Sequence, residues 1–268
     1  MKIDASSILS DLESEIGELP PLSPEDILQL AQRARDPAQL RRWFKLRLAG
    51  EPLAHICGQL EFRGLTFHLD KRAYVTDPEL IHLVEAVEAS ARTFTVTHGR
   101  APLIAEVGVG CGSLALSLCH RLPATTVVGL DLDPDPLVLA AANAQRLGLQ
   151  LRLVESDLFE SWPQDLPAPD IVFGDPPWGD DNMLYAADRP AGHYHAMPPV
   201  SAFPLGGPTG VHRQIIRQII NRGWSSEIWL NGGVIPHPGL AALGEAATSY
   251  EIITPATGLS LLRCWTKS

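Results

Sequence analysis

From Ala101 onward, short apolar runs alternate with stretches whose apolar residues recur every three or four positions, and that alternation dictates strands joined through helices. Strands are expected at Leu103–Val107, Thr126–Asp131, Leu151–Val154, Ile171–Gly174 and Glu227–Leu230, with a closing pair near Glu251–Ile253 and Ser260–Trp265. Helices are expected between them at Ser113–Arg121, Asp135–Leu147, Val211–Arg222 and Leu240–Ala247. Strands connected through helices run parallel in one sheet with helices on its faces. The expected fold class is therefore α/β, a doubly wound, mostly parallel, seven-stranded Rossmann-like sheet.

The first hundred residues read differently. Ser23-Pro24-Glu25-Asp26 is a helix start, with Ser23 as N-cap, Pro24 at the first helical position and acids in the first turn. A second helix through Leu40, Trp43, Phe44 and Leu48 stops at Gly50, and Leu60 to Leu69 alternates apolar and polar residues around Arg63-Gly64 as a β-hairpin does. A short helix follows Asp77-Pro78 with Leu80, Leu83, Val84 and Val87, and residues 91–100 read as a polar connector. These features divide the chain into a helical substrate or cap domain over residues 1–58, a hairpin and linker over 59–100, and a ligand-binding domain over 101–268. The aperiodic stretch 177–210 exceeds an ordinary connection and reads as a substrate-binding loop.

Composition narrows the partners. A 45% hydrophobic and 19% charged chain with no apolar run long enough to cross a bilayer reads as a soluble protein with no membrane partner. Its net charge of -10 makes nucleic acid an unfavoured partner, because affinity for phosphate backbones comes largely from Lys and Arg. The basic patch of Arg41, Arg42, Lys45 and Arg47 reads as a solvated helix face. Cys57, Cys111, Cys119 and Cys264 form no Cys-x-x-Cys pair, and the start of the chain lacks a secretion signal, so a cytoplasmic location is expected. No metal site is expected: His193 and His195 have no third ligand at helical spacing.

Glu106-Val107-Gly108-Val109-Gly110-Cys111-Gly112 ends the first strand of the large domain and opens the next helix. Glycines there permit a sharp turn and close approach of a ligand. Ser113 stands where the dinucleotide fingerprint wants its third glycine, which points to S-adenosylmethionine rather than NAD. Asp131 ends the second strand, where an acid can accept from both ribose hydroxyls, with Leu132 beside it. Asp157 follows the third strand, placed to accept from an adenine amino group, while Leu158, Phe159 or Trp162 covers a ring face. The expected cofactor-binding residues are Glu106, Gly108, Gly110, Gly112, Asp131, Leu132, Asp157, Leu158 and Asp175.

Asp175-Pro176-Pro177-Trp178 follows the fourth strand and resembles the acceptor loop of methyltransferases that alkylate nitrogen in planar groups. Such a nitrogen has a delocalised lone pair, so acceptors must grip its N–H bonds and direct the lone pair at the methyl. Asp175 and the Pro176 carbonyl are the expected acceptors. Prolines stiffen the turn, and Trp178 can stack on the planar group. Asp175, Pro176 and Trp178 are the expected catalytic residues, and Asp77, Glu79, Pro177, Trp178, Asp180 and Asp181 the expected substrate-binding ones.

Further motifs extend the likeness. Gly50-Glu51-Pro52-Leu53-Ala54-His55-Ile56-Cys57-Gly58 and Glu61-Phe62-Arg63-Gly64-Leu65 are similar to the linker and hairpin of HemK-type protein glutamine methyltransferases, which modify translation termination factors. Asn143 with Leu147-Gly148-Leu149, Asp157-Leu158-Phe159, and Gly206-Gly207 before Gly210 fit the same pattern from Gly50 to the end of the chain. The resemblance implies a helical N-terminal domain over an S-adenosylmethionine-binding domain.

The chain departs from that family around the acceptor. The family's loop is Asn-Pro-Pro-Tyr, its Arg-Pro-x-Thr segment is replaced by Thr76-Asp77-Pro78-Glu79-Leu80, and its Glu-Pro becomes Pro198-Pro199. An asparagine both donates and accepts, whereas an ionised aspartate only accepts. With Asp180 and Asp181 nearby, the expected acceptor is a small cationic molecule, free arginine or a related guanidine, because paired carboxylates grip a guanidinium well. The alternatives are glutamine methylation in a release factor, adenine methylation, and a non-catalytic cofactor-binding scaffold.

Overall fold

The computed structural model describes residues 3–16, 22–179, 197–202, 204, 206–256 and 259–267. Four helices come first: α1 (Ala5–Ile16), α2 (Pro24–Arg33), α3 (Pro37–Leu48) and α4 (Leu53–Cys57). Ser23 caps α2 by accepting from the Asp26 amide at 3.0 Å, and Asp36 caps α3 by accepting from that of Gln39 at 2.7 Å, each cap followed by proline. These helices enclose their own core of Ile8, Leu12, Leu30, Leu40, Trp43 and Phe44. The basic patch on α3 is largely matched by acids: Arg41 and Lys45 pair with Glu15, and Arg47 with Asp26 at 2.8 Å.

The hairpin β1 (Gln59–Phe62) and β2 (Leu65–His68) closes through Arg63 at φ 49° and Gly64 at φ 78°, the two left-handed positions of a tight hairpin turn. A single 3-10 turn, Pro78–Leu80, leads into α5 (Ile81–His98). Here the structure corrects the sequence reading, since residues 91–98 continue the helix instead of forming a polar connector. Thr93, Thr95 and Thr97 return their hydroxyls to the carbonyls of Ala89, Ala91 and Thr93, and Phe94 stacks on His98. Gly99 at φ 68° ends the helix in a left-handed cap.

The remaining elements are β3 (Leu103–Val107), α6 (Ser113–Arg121), β4 (Thr126–Asp131), α7 (Pro134–Leu147), β5 (Arg152–Glu155), β6 (Ile171–Gly174), α8 (Pro199–Ala202), α9 (Gly210–Asn221), β7 (Glu227–Gly233), α10 (His237–Gly244), β8 (Ser249–Ile253) and β9 (Ser260–Trp265). Seven strands form one sheet in the order β5-β4-β3-β6-β7-β9-β8, parallel throughout except that β9 runs antiparallel between β7 and β8.

The central strands are buried on both faces, with side chains alternating between two cores. Ile104, Ile171 and Phe173 face one core with α5 and α6, while Leu103, Ala105, Val107 and Val172 face the other with Ile215, Ile216 and Ile219 of α9. From β3 the chain winds outward through β4 to β5, then returns to the other side of β3 as β6. That reversal opens a crevice at the carboxyl ends of β3 and β6, where open α/β sheets bind ligands.

Candidate active site

The glycine loop leaves β3 and is tied down on β4. The amides of Gly108 and Val109 both donate to the Leu130 carbonyl, at 2.8 and 2.9 Å, and the Gly110 amide donates to Asp131 Oδ2 at 2.9 Å. Gly108, Gly110 and Gly112 all lie at positive φ, 74°, 53° and 84°. At Gly112, which starts α6, a Cβ would also stand 3.0 Å from Leu116 Cδ1 and 3.3 Å from Ala140 Cβ. Asp131 takes a second backbone donor, the Asp133 amide at 3.1 Å, yet burial still raises its pKa above the ordinary carboxylate value.

Glu106 is the penultimate residue of β3 and is 1% exposed. It accepts from the Ala115 amide, but its Oε2 is buried without a partner. Burial raises its pKa well above the usual range, and the charges of Asp131 and Asp175 add to the effect. A buried carboxyl with an unpartnered oxygen therefore stands in the wall of the crevice.

Beyond β5, Asp157 is exposed and Leu158 is buried at φ 52°, a left-handed conformation rare for leucine. Leu158 and the exposed Leu132 both line the crevice. Phe159 and Trp162 do not line it: they pack edge-on with each other and with Trp224, at centroid distances of 5.3 to 6.3 Å. Of the three ring-covering candidates, the structure brings Leu158 alone to the crevice.

Asp175 follows β6 directly. The close register of β6 on β3 requires Gly174, because a Cβ there would meet the Val107 carbonyl oxygen at 2.6 Å. Asp175 Oδ1 accepts from Asn231 Nδ2 at 2.7 Å, and the Trp178 indole also donates to the carboxyl. Burial pushes the Asp175 pKa up to about 7, against these two donors and with help from the charge of Asp77. The ring of Trp178 lies against the Gly233 backbone, where a Cβ would stand 2.2 Å from Cε2.

The glycine loop, the ends of β4 and β5 and the Asp175–Trp178 turn open on one cavity of about 660 Å³. Its wall includes Glu106, Gly108, Gly110, Asp131, Leu132, Asp157 and Leu158 on one side and Asp175, Pro176, Pro177 and Trp178 on the other. Asp77 also lines it, while Glu79 does not and sits in the 3-10 turn ahead of α5. Gly112 stands behind the wall at the start of α6. Among the described residues the wall holds five carboxylates, Asp77, Glu106, Asp131, Asp157 and Asp175, and no Lys, Arg or His. Asp180, Asp181, His193 and His195 lie outside the described residues.

Three members of the site carried no sequence signal. Asn231 and Gly233 end a strand that was expected to stop at Leu230, and His212 lies in α9 with Nε2 2.7 Å from the Asn231 carbonyl oxygen. Val200 and Pro204, from the segment expected to bind substrate, and Val211 and Gln214 of α9 complete the wall.

Residues 104–175, from the central strand to Asp175, match the family described as Methyltransferase domain. The chain also shares its fold with the catalytic domain of hMettl16 in complex with MAT2A 3'UTR hairpin 6, at TM-score 0.58 and 12% identity, over 99% of this chain and 93% of that one. Sheet order, glycine loop and the family match thus define the class, a Rossmann-like class I methyltransferase domain. Within that class, release factor glutamine methyltransferases from Bordetella pertussis and Deinococcus radiodurans are each 34% identical, over 53% and 56% of this chain and 52% and 58% of their own lengths. These similarities support a HemK-type methyltransferase. The chain spans a little over half the length of these curated relatives. Among the described residues, no helix is long and apolar enough to cross a membrane.

Proposed function

We propose that the chain is an S-adenosylmethionine-dependent N-methyltransferase whose acceptor is a glutamine side-chain amide in a translation release factor. The observation that carries this reading is that the glycine loop of β3 and the Asp175–Trp178 turn of β6 face each other across one cavity. The names borne by the relatives favour a release factor over the small cation expected from the sequence.

The residues present fit the cofactor. When bound, S-adenosylmethionine supplies an electrophilic methyl group on a cationic sulfur. Asp131 is the acceptor for ribose hydroxyls, Asp157 for the adenine amino group, and Leu132 and Leu158 offer apolar faces to the ring. The unpaired Oε2 of Glu106 suits an ammonium, and the positive-φ glycines let the ligand lie against backbone.

The expectation of free arginine rested on an ionised Asp175. Burial alters that premise, since a carboxyl with a pKa of about 7 is about half protonated at neutral pH in the empty site. A protonated carboxyl donates through its O–H and accepts through its other oxygen, the same pair of roles as the family's asparagine. It can meet both the carbonyl and the N–H of a neutral amide. The Pro176 carbonyl takes a second N–H, Pro177 stiffens the turn and Trp178 stacks on the amide plane. The N-terminal helices, with a core of their own, are read as the domain that meets the protein acceptor. All four cysteines are free thiols, which fits a reducing cytoplasm.

The test is to incubate the purified protein with methyl-labelled S-adenosylmethionine together with a release factor, free arginine or DNA. Label on a glutamine of the release factor is expected, located by mass spectrometry. Label on arginine alone would overturn the assignment, and cofactor binding with no label anywhere would leave a scaffold.

A further inference from the structure

We propose that Asn231, anchored by His212, is a positioning residue that holds the Asp175 carboxyl in the orientation that grips the acceptor nitrogen. The proposal deepens the amide-methylation reading above and rests on it.

Asn231 is 2% exposed and follows the apolar run Ile228, Trp229 and Leu230 of β7, in the interior of the sheet. Its amide has a defined orientation. The Gly233 backbone N–H, which can only donate, points at Oδ1 at 3.0 Å, so the NH2 group faces Asp175 Oδ1 at 2.7 Å. The pairing of β7 with β9 shifts register between Asn231 and Gly233. Irregularities of this kind re-aim side chains. Here the shift falls between Asn231, whose amide meets Asp175, and Gly233, against whose backbone Trp178 lies. Two members of the acceptor turn are thus supported by two positions of one strand end.

His212 holds the main chain at this point. It is fully buried on α9, and its Nε2 lies 2.7 Å from the Asn231 carbonyl oxygen. A carbonyl only accepts, so Nε2 carries the proton; Nδ1 is left buried with no partner. Burial lowers the His212 pKa to about 4, so the ring stays a neutral donor over the working range. The remaining groups acting on Asp175 are Asp77 from the segment before α5, Glu106 from β3 and the indole of Trp178. Asn231 is the donor among them that comes from outside the Asp175–Trp178 turn.

Two variants test this. Asn231→Leu removes the donor; Asn231→Asp keeps the shape and the bond from Gly233 but turns the donor into an acceptor. In the cofactor-free protein, carbon-13 NMR follows the Asp175 carboxyl, identified by the signal lost in Asp175→Asn. In Asn231→Leu the Asp175 midpoint is expected to rise by about one pH unit, and in Asn231→Asp the two carboxyls are expected to titrate as a coupled pair. With a release factor as acceptor, both variants should lose at least about tenfold in kcat while the KM for S-adenosylmethionine stays unchanged, and the pH profile should follow the shifted midpoint. Circular dichroism checks that each is folded. An unmoved Asp175 midpoint in either folded variant overturns the proposal. The NMR titration needs no acceptor, so it decides the role of Asn231 even if the release factor proves unmethylated.

Discussion

At the scale of single residues, Asp175 carries the sharpest expectations. Its folded-state pKa of about 7 lies above the ordinary 3.8, so the fold favours the protonated form. The associated stability is fully present below pH 3.8 and is lost as pH rises toward 7. Asp175→Asn should therefore be more stable than the parent at pH 8 by about 1 to 3 kcal/mol, an amount discounted for water in the cavity, with no advantage at pH 4. Urea denaturation at the two pH values checks this. Amide methylation should decline as pH rises through the Asp175 midpoint, and Asp175→Asn should flatten that limb; bound cationic cofactor moves it to lower pH without reversing its sign. A rate that instead climbs with pH would favour a cationic acceptor. Gly233→Ala places a Cβ 2.2 Å from Trp178 at a φ of 51°. It should displace the ring, cost about 1 kcal/mol and lower turnover at least about tenfold, visible as a changed tryptophan emission and a reduced rate. Asp175 and its prolines were legible because the motif is contiguous. Asn231 was not, because it lies 56 residues away and reaches the site only through strand pairing.

At the scale of elements, the parallel strands and their helices were legible because period and glycine placement are local properties, and the seven expected strands form the sheet. One miss has a tertiary cause and the other a local one. β7 runs past Leu230 because β9 pairs with it as far as Gly233, whereas in the polar stretch of α5 the threonine hydroxyls bond back to carbonyls of their own helix. Asn143 shows how elements are joined to the site. Fully buried on α7, it accepts from the His68 amide at 2.7 Å and donates to the carbonyls of His68 and Cys111, each at 2.9 Å. One side chain thus pins the end of the hairpin to the glycine loop. Asn143→Ala would leave those backbone groups unpaired, and a loss of about 2 to 3 kcal/mol is expected in denaturant unfolding. Cofactor affinity should fall with it, because the Cys111 carbonyl loses its tether; titration calorimetry would reveal an unaffected affinity and so refute that coupling.

At the scale of the whole molecule, charge decides how the cofactor binds. A chain of net charge -10 concentrates five carboxylates around one cavity and, among the described residues, offers no basic side chain in its wall. Three of them, Glu106, Asp131 and Asp175, have pKa values raised chiefly by burial, and the ionised forms of Asp131 and Asp175 further oppose ionisation of Glu106. These three acids resist ionising until a cation enters. S-adenosylmethionine carries a sulfonium and an ammonium, and their proximity favours the ionised carboxylates, lowering those pKa values on binding. Binding is then expected to release protons, and by linkage the affinity to rise with pH across the range in which the empty site holds them. The expected result is a Kd for S-adenosylmethionine that falls between pH 5 and 8 by about tenfold for each proton released per pH unit. Calorimetry in buffers of different ionisation enthalpy counts those protons directly. S-adenosylhomocysteine, which lacks the sulfonium charge, should release fewer. Equal proton release by the two ligands would place the responding carboxyls away from the sulfur and beside the ammonium, at Glu106; release by neither would mean that the acids of this wall are already ionised before the cofactor arrives.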